Sequence, residues 1–341
     1  RVNAVFQPLM IFMVGLSTLI TIFVGGKLYM AGEVSAGNIT EFIYYVNLLT
    51  WPIASIGWVT ALVQSASASM ERLDEFLNET PDFEGGQFTP TEFQGHIVFD
   101  KVSFTYPNSG VQALKEISFE LKSGQSIGIL GKTGAGKSTI ASLIVRQYDP
   151  TSGSISIDGV DLKEWNLPAL KAHLGWVPQE AFLFSDTIAN NIAFGMDDTE
   201  LNEVVTAAQS AGVHDNIIEF PKGYETRVGE RGVTLSGGQK QRVSIARALI
   251  KKPEIMIFDD CLSAVDTETE EVILKNIKAA TQDVSSLIIA HRISSVKHCD
   301  QIICLEDGLV IERGTAEELE QAGGHFAELV ALQLDPSIEE N

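Results

Sequence analysis

The chain has 341 residues, enough for one large domain or two smaller ones. Its 45 acidic and 24 basic residues give a formal net charge of −21, which argues against nucleic acid as a partner because phosphate contacts need a basic face. The three cysteines, Cys261, Cys299 and Cys304, have neither CxxC nor zinc-ligand spacing, so we expect buried thiols in a reducing compartment.

Two long apolar blocks without a charged residue lie near the start of the sequence, from Val2 to Gly26 and from Phe42 to Met70. Each is long enough to cross roughly 30 Å of hydrocarbon as a helix, so we predict two transmembrane helices in a lipid bilayer. Buried core helices are one alternative. A signal peptide is another, but the first block is longer than the apolar core of a signal peptide, and a second block follows it. Since two helices make a poor membrane domain and the chain starts with Arg1, we expect a longer protein.

After the second block, apolar residues keep helical spacing and acidic residues appear between them. We therefore expect the second helix to extend into water and to stop near Pro81. The Gly-, Pro- and Thr-rich residues that follow indicate a linker. The predicted organisation is the C-terminal portion of a transmembrane domain over 1–80, a linker over 81–94, a second domain over 95–335 and a tail over 336–341.

The second domain has the pattern of an α/β fold, in which short apolar runs alternate with helical stretches. This predicts an open, parallel sheet that binds ligands at the carboxyl ends of its strands. We expect strands in HIVFDKVSFTY (as a pair), SIGIL, SISIDG, EIMIFDD and SSLIIAH, and a hairpin that turns at Asp307–Gly308. Helices are expected in TETEEVILKNIKAA and over Leu201–Ala211 and Gly238–Lys251, the last two within a helical subdomain at about 180–250.

The stretch GKTGAGKST follows the expected strand SIGIL and precedes an expected helix. It fits the phosphate loop G-x-x-x-x-G-K-[ST], whose glycines let backbone N–H groups turn toward phosphate oxygens. In this pattern Lys137 reaches the β- and γ-phosphates and Ser138 offers a hydroxyl to Mg²⁺. A chance glycine-rich turn is the alternative, but it would not combine strand, spacing, lysine and helix. The expected nucleotide-binding residues are Gly131, Lys132, Thr133, Gly134, Ala135, Gly136, Lys137, Ser138 and Thr139.

Asp259 ends the apolar run EIMIFD, where a carboxylate is costly to bury unless a cation lies near. A magnesium site explains this carboxylate, and a helix cap is the plainer alternative. We therefore expect Asp259 and Ser138 to be ligands of Mg²⁺ beside a bound nucleoside triphosphate.

The stretch VTLSGGQKQRVSIARAL resembles the signature of the ATP-binding cassette (ABC) transporter family. The match is specific, because further motifs of the family also occur here in the family's order. They are SFTYP and WVPQE before the signature, and SAVD and IIAHR after it. The resemblance implies that Tyr106 stacks on adenine, that Gln179 binds Mg²⁺ or orients water, and that His291 donates to the γ-phosphate. Strand packing for Tyr106 and a structural role for His291 are the alternatives.

The same resemblance implies a pair of cassettes with two ATP molecules between them. The signature residues would open a helix, which is an anion site, and would face the γ-phosphate bound by the partner. They are Ser236, Gly237, Gly238 and Gln239. Asp266 in SAVD matches the D-loop at the dimer interface. Glu230 in GERG matches the X-loop of exporters, which contributes to coupling.

Membrane helices and a cassette in one chain resemble a half-transporter of the exporter type, a multi-pass protein of the cell membrane. The resemblance implies that the cassette is cytoplasmic, that the loop Tyr29–Glu41 lies on the outer face, and that ATP hydrolysis drives export of an unidentified substrate. A soluble ATPase acting on nucleic acid or ribosomes is one alternative, against which the apolar blocks and the acidic charge argue. A regulatory membrane ATP sensor is another.

Asp260 departs from the family, which normally has glutamate after the metal-binding aspartate to polarise the attacking water. One methylene less shortens the reach by roughly 1 Å, which can slow a reaction about 10²-fold when geometry is tight. We therefore expect slow hydrolysis at the chain's own ATP site, while its intact signature completes a partner's site. This predicts a heterodimer with a different half-transporter. A homodimer with two aspartate-based sites is the alternative.

Overall fold

The computed structural model describes residues 2–79, 85–196, 198–229, 235–261, 273–276 and 284–334. The chain divides into two compact units, residues 1–82 and 83–341. The first unit contains helices α1 (Val2–Met30) and α2 (Ala36–Leu77). Both helices are long and apolar enough to cross a membrane, and their apolar windows are not buried within the chain. The apolar surface of this unit is therefore available to lipid.

The second unit combines two sheets with surrounding helices. Its described strands are β1 (Ile97–Thr105), β2 (Gln112–Leu121), β3 (Ser126–Gly131), β4 (Ser152–Ile157), β5 (Val160–Asp161), β6 (Leu174–Val177), β7 (Ile255–Asp259), β8 (Ser285–Ile289), β9 (Gln301–Glu306) and β10 (Leu309–Gly314). Its described helices are α3 (Lys137–Ile144), α4 (Leu167–His173), α5 (Ile188–Ile192), α6 (Leu201–Ser210), α7 (His214–Ile218), α8 (Gly237–Leu249), α9 (Ile293–Val296), α10 (Ala316–Ala322) and α11 (His325–Leu334).

The larger sheet has the strand order β10-β9-β3-β8-β7-β6. All its neighbouring pairs are parallel except β10 with β9. Strand β7 is buried along its whole length, as expected for a parallel strand covered on both faces. The register pairs Asp259 with Ile289. The carboxyl ends of β7 and β8 therefore bring Asp260 and His291 to the same edge of the sheet.

The smaller sheet is antiparallel, with the order β2-β1-β4-β5, and the sequence did not predict it. The expected strand pair in HIVFDKVSFTY is wrong, because that stretch forms the single strand β1. The partner of β1 is β2, whose alternation of buried and exposed residues is interrupted near Glu116, a residue with positive φ. SISIDG forms β4 of this sheet rather than a parallel strand. Strand β6 was also missed, since four residues are too few for a periodic pattern.

Other expectations from local pattern are confirmed. Helices α6 and α8 begin and end within about two residues of their predicted limits, the usual uncertainty of helix ends. β9 and β10 form the predicted hairpin, and Asp307 and Gly308 both have positive φ, as a tight two-residue turn requires. Only Ile273–Asn276 of the expected helix TETEEVILKNIKAA lies within the described residues, and it is helical.

Some of the stretch predicted to be a linker packs on the second unit. The N–H of Phe88 donates to the carbonyl of Glu164, and the N–H of Asn166 donates to the carbonyl of Phe88. The rings of Phe88 and Phe93 lie edge-on to Trp165, with centroids 4.9 Å and 5.5 Å away. Trp165 is fully buried in the core cluster that joins both sheets to α3. Residues 88–93 are therefore anchored to the second unit.

Candidate functional site

The loop between β3 and α3 folds back around its own lysine. Lys137 Nζ donates to the carbonyl oxygens of Gly131, at 2.7 Å, and of Lys132, at 3.0 Å. The Lys137 side chain is buried, and this burial lowers its pKa, while Asp260 and Asp259 act in the opposite direction. The two carbonyls thus hold the ammonium group inside the loop, where an anion could reach it.

Gly136 is the residue of this loop that most clearly has to be glycine. Its φ is +97°, and a Cβ atom there would lie 2.5 Å from the carbonyl oxygen of Ala113. It precedes α3 without supplying a side-chain cap. The first N–H groups of α3 are therefore available to an anion, and the positive end of the helix dipole adds to the charge of Lys137.

Ser138 and Asp259 lie together although they are far apart in sequence. The Ser138 hydroxyl donates to Asp259 Oδ1 at 2.9 Å. Burial raises the pKa of Asp259; the bond from Ser138 acts in the opposite direction, as do Lys137 and His291. A hydroxyl and a carboxylate are oxygen donors of the kind that Mg²⁺ prefers, so this pair fits that ion. Among the described residues no group of three or more His, Cys, Asp or Glu forms a fuller cage, which suits an ion that keeps water and phosphate ligands.

Asp260 is contacted by residues that follow the two strands on either side of β7. Gln179 Nε2, after β6, donates to Asp260 Oδ2 at 3.3 Å, and His291 Nε2, after β8, lies 4.0 Å from the same oxygen. The backbone N–H of Asp260 donates to the carbonyl of Ile289. Its φ is +45°, a left-handed conformation that aspartate adopts more readily than most residues. The structure thus brings Asp260, Gln179 and His291 together beside the Ser138–Asp259 pair.

Tyr106 lies against the start of α3. Its hydroxyl is 3.0 Å from Thr139 Oγ1, and its ring is edge-on to Phe104 and Tyr148, with centroids 4.9 Å and 5.6 Å away. Thr139 is buried and Tyr106 is half-buried. The ring predicted to stack on adenine is therefore linked to the phosphate loop, a contact that no sequence pattern indicated.

The signature residues form the beginning of α8. Ser236 Oγ accepts from the N–H of Gln239, and Gln239 Oε1 accepts from the N–H of Ser236. This capping box orders the helix start, with Gly237 and Gly238 in its first turn. Within the described ranges of the chain, no hydrogen bond or ion pair joins these residues to the phosphate loop. Further along α8, Gln241 Nε2 donates to the carbonyl of Gln179 at 3.5 Å.

The remaining predicted residues are placed as follows. Lys132, Thr133 and Gly134 are exposed on the loop, Ala135 is buried, and Glu230 and Asp266 lie outside the described residues.

Sequence reasoning missed Arg247 of α8, which donates to the carbonyls of Phe182 and Asn191. Burial lowers the pKa of Arg247 to about 10, so it remains a cation at neutral pH. The sequence did offer one indication of this role, since Arg247 is a charged residue among the apolar residues of α8 that are buried.

Several known proteins are similar to this chain over most of its length. A family model described as "ABC transporter" matches residues 114–263. The "Probable multidrug resistance ABC transporter ATP-binding/permease protein YheI" of Bacillus subtilis is 42% identical over 328 residues, covering 96% of this chain and 56% of that protein. The "Multidrug resistance-like ATP-binding protein MdlA" of Escherichia coli is 40% identical over 333 residues, covering 98% of this chain and 56% of that protein.

A solved structure, described as a bacterial Atm1-family ABC exporter with ATP bound, superimposes with a TM-score of 0.82 at 35% identity. It covers 98% of this chain, and the chain covers 59% of it. The chain therefore spans somewhat more than half the length of these relatives. The predicted fold class, two membrane helices followed by an α/β ABC ATPase domain, is confirmed, as are the membrane location and the cytoplasmic ATPase domain. By these matches the chain carries an ABC transporter ATPase domain, preceded in the same polypeptide by two helices of membrane-spanning length.

Proposed function

We propose that the chain is one half of an ATP-driven exporter whose own ATP site hydrolyses slowly and whose signature completes the site of a different half-transporter. The observation that carries this proposal is the position of Asp260, a short carboxylate 3.3 Å from Gln179 Nε2 and 4.0 Å from His291 Nε2. It occupies the place where the family normally has glutamate. The proposal divides the chain as the sequence suggested, except that residues 88–93 of the expected linker over 81–94 pack on the cassette. The membrane helices lie within 1–80, the cassette covers 95–335 with its helical subdomain at about 180–250, and the tail is 336–341.

Binding of ATP is assigned to the loop and to the start of α3. Lys137 and the open N–H groups of α3 attract the β- and γ-phosphates, and Tyr106 stacks on adenine. Ser138 and Asp259 would hold Mg²⁺, with Gln179 as a further oxygen ligand. When bound, this ion would neutralise charge on the phosphate oxygens.

Hydrolysis is assigned to Asp260, Gln179 and His291. The Asp260 carboxylate accepts a hydrogen bond from the attacking water and takes its proton as the water oxygen bonds to the γ-phosphorus and ADP leaves. His291 donates to a γ-phosphate oxygen, and Gln179 orients the water. Because the Asp260 arm is short by roughly 1 Å, the water is held poorly and hydrolysis is slow, while ATP binding is unaffected.

The second cassette follows from the position of the signature. A helix start ordered by Ser236 and Gln239 is a ready anion site, yet no described bond ties it to this chain's own phosphate loop. We assign Ser236, Gly237, Gly238 and Gln239 to the γ-phosphate bound by the partner, Asp266 to the contact between cassettes, and Glu230 to coupling with the membrane helices.

An asymmetric pair of variants tests the proposal in the full-length protein. The full-length protein is purified alone and together with a half-transporter of the same organism that has glutamate after its metal-binding aspartate, and ATP turnover is measured for the wild type, Asp260→Asn and Ser236→Ala. In the mixed assembly, Asp260→Asn should change turnover less than twofold, whereas Ser236→Ala should lower it about tenfold or more. Ser236→Thr, which still caps α8, is the control for helix stability.

Brisk turnover by the chain alone, abolished by Asp260→Asn, would instead establish the homodimer with two aspartate-based sites. A regulatory ATP sensor is distinguished by transport, because a sensor gives ATP binding without ATP-dependent movement of substrate into inside-out vesicles. Transport by the mixed assembly contradicts the sensor.

A further inference from the structure

One side chain of the C-terminal helix α11 holds the backbone next to His291. Gln333 Nε2 donates to the carbonyl oxygen of His291 at 2.9 Å, and Gln333 Oε1 accepts from the N–H of Ile293 at 2.9 Å. The Gln333 amide thus donates one hydrogen bond and accepts another, and its two partners are the residues before and after Arg292. The two contacts join residues 42 and 40 positions apart, so they depend on how α11 packs.

Helix α11 is well anchored for this role. Phe326 is fully buried in a core cluster with Ile293 and Val296, and Leu329 and Val330 pack against the same cluster. Gln333 follows Leu329 and Val330 by four and three residues, so it lies on the same face of the helix. The packing of α11 therefore places the amide over the segment after β8.

The segment that Gln333 contacts lacks a cap of its own. Arg292 is the N-cap residue of α9, and its side chain makes no cap hydrogen bond. The side chain of Gln333, which belongs to another helix, accepts a hydrogen bond from the first N–H of α9. A capping residue next to the helix start usually makes this bond. The same amide fixes the carbonyl of the residue that carries the imidazole ring.

We propose that Gln333 is a positioning residue of the ATP site, which directs the His291 ring toward Asp260 by clamping the backbone on both sides of Arg292. The inference rests on the proposed function, since it requires His291 to act on ATP. A displacement of about 1 Å at a catalytic group can slow a reaction about 10²-fold, so a lost clamp lowers hydrolysis without lowering ATP binding. Through this contact the C-terminal helix supports the catalytic site.

The test compares Gln333→Leu, which has a similar size and makes neither bond, with Gln333→Glu, which keeps an acceptor for Ile293 and loses the donor to His291. Gln321→Leu, at an exposed glutamine of α10, is the matched control. Hydrolysis is measured in the full-length protein under single-turnover conditions, per mole of folded protein, together with the dissociation constant of ATP. Both Gln333 variants should hydrolyse about 5- to 50-fold more slowly with ATP affinity unchanged, and Gln321→Leu should match the wild type. Wild-type hydrolysis by either Gln333 variant would overturn the clamp.

A double variant separates this proposal from the function on which it rests. In a His291→Ala background, Gln333→Leu should have no further effect, because a positioning residue has nothing left to position. An equal fall in both backgrounds would mean that Gln333 acts by another route, and the clamp would be wrong. If His291→Ala alone leaves hydrolysis unchanged, the role of His291 in the proposed function fails. If His291→Ala slows hydrolysis and Gln333→Leu does not, only the clamp fails.

Discussion

The hydroxyl groups of Tyr106 and Thr139 lie 3.0 Å apart, and this contact joins the aromatic ring that follows β1 to the first turn of α3. A threonine hydroxyl can accept one hydrogen bond and donate another at the same time. Thr139 can therefore accept from Tyr106 and donate to a phosphate oxygen, so that each bond strengthens the other.

Tyr106→Phe keeps the ring and removes this bond, so ATP should bind about 2- to 10-fold more weakly, in line with about 0.5–1.5 kcal/mol for one hydrogen bond. Tyr106→Ala should bind more weakly still, because it also loses base stacking worth about 1–3 kcal/mol. Titration with a fluorescent ATP analogue measures both variants. Tyr148→Phe is the control, since the Tyr148 ring packs on Tyr106. Thr139→Val should weaken ATP binding at least as much as Tyr106→Phe, because it also loses the bond to phosphate, and Tyr106→Phe should have little further effect in the Thr139→Val background. Full additivity would mean that the two hydroxyls do not act together.

Lys137→Met should abolish most ATP binding while leaving the fold intact. Its ammonium group is held by two carbonyl oxygens, and burial already lowers its pKa, so removing the charge is tolerable for the folded protein. Hydrogen bonds from a charged group contribute about 1.5–3 kcal/mol, which predicts a loss of affinity of roughly 10- to 150-fold. Equilibrium dialysis with ATP gives the affinity, and Lys122→Met, at an exposed lysine, serves as the control. Equal ATP affinity in wild type and Lys137→Met would rule out this loop as the phosphate site.

Asp259→Asn should stabilise the protein against heat at neutral pH and at the same time remove its response to magnesium and ATP. Burial raises the folded-state pKa of Asp259 above its usual value. Wild-type stability therefore falls as the pH rises from about 4, the usual pKa of aspartate, through the raised pKa, and it stays lower above that. Asparagine has no charge to bury and still offers an oxygen to Ser138.

The difference in thermal midpoint between Asp259→Asn and wild type should consequently be present at pH 7 and vanish below about pH 4. Asp100→Asn, at an exposed position, should show no such pH dependence. Addition of ATP with Mg²⁺ should raise the midpoint of the wild type and not that of Asp259→Asn. A variant that is less stable than wild type at pH 7 would contradict the assigned cost of burial.

Features carried by short local patterns were predictable from the sequence, and those that depend on distant packing were not. The phosphate loop, the end of β7 at Asp259 and the turn at Asp307–Gly308 each need only neighbouring residues. Strand β2 was missed because its alternation is interrupted near Glu116, where the pairing with β1 is irregular.

The contacts within the candidate site span long stretches of chain. Gln179 and Asp260 are 81 residues apart, and Gln333 and His291 are 42 apart. Residue types and spacing carry no information about such pairs. Family resemblance suggested the first pair, because its motifs recur in a fixed order, whereas only the packing of α11 reveals the second.

Asp260→Glu is the most direct test of why the site is expected to be slow. The longer side chain extends the carboxylate by roughly 1 Å toward the water, so we expect hydrolysis to rise about 10- to 100-fold if reach limits the rate. The backbone works against this gain, since φ at position 260 is +45° and aspartate tolerates that region better than glutamate. A small loss in thermal midpoint should therefore accompany the faster hydrolysis.

Single-turnover hydrolysis by the full-length protein gives the rate, and Asp260→Asn is the matched control that keeps the size and removes the charge. Asp260→Asn should lower the rate below wild type, because an amide cannot take the proton of the attacking water. A rate that stays flat in Asp260→Glu while it falls in Asp260→Asn would show that the carboxylate acts but that its reach is sufficient. The proposed cause of the slow site, a carboxylate too short to hold the water, would then be wrong.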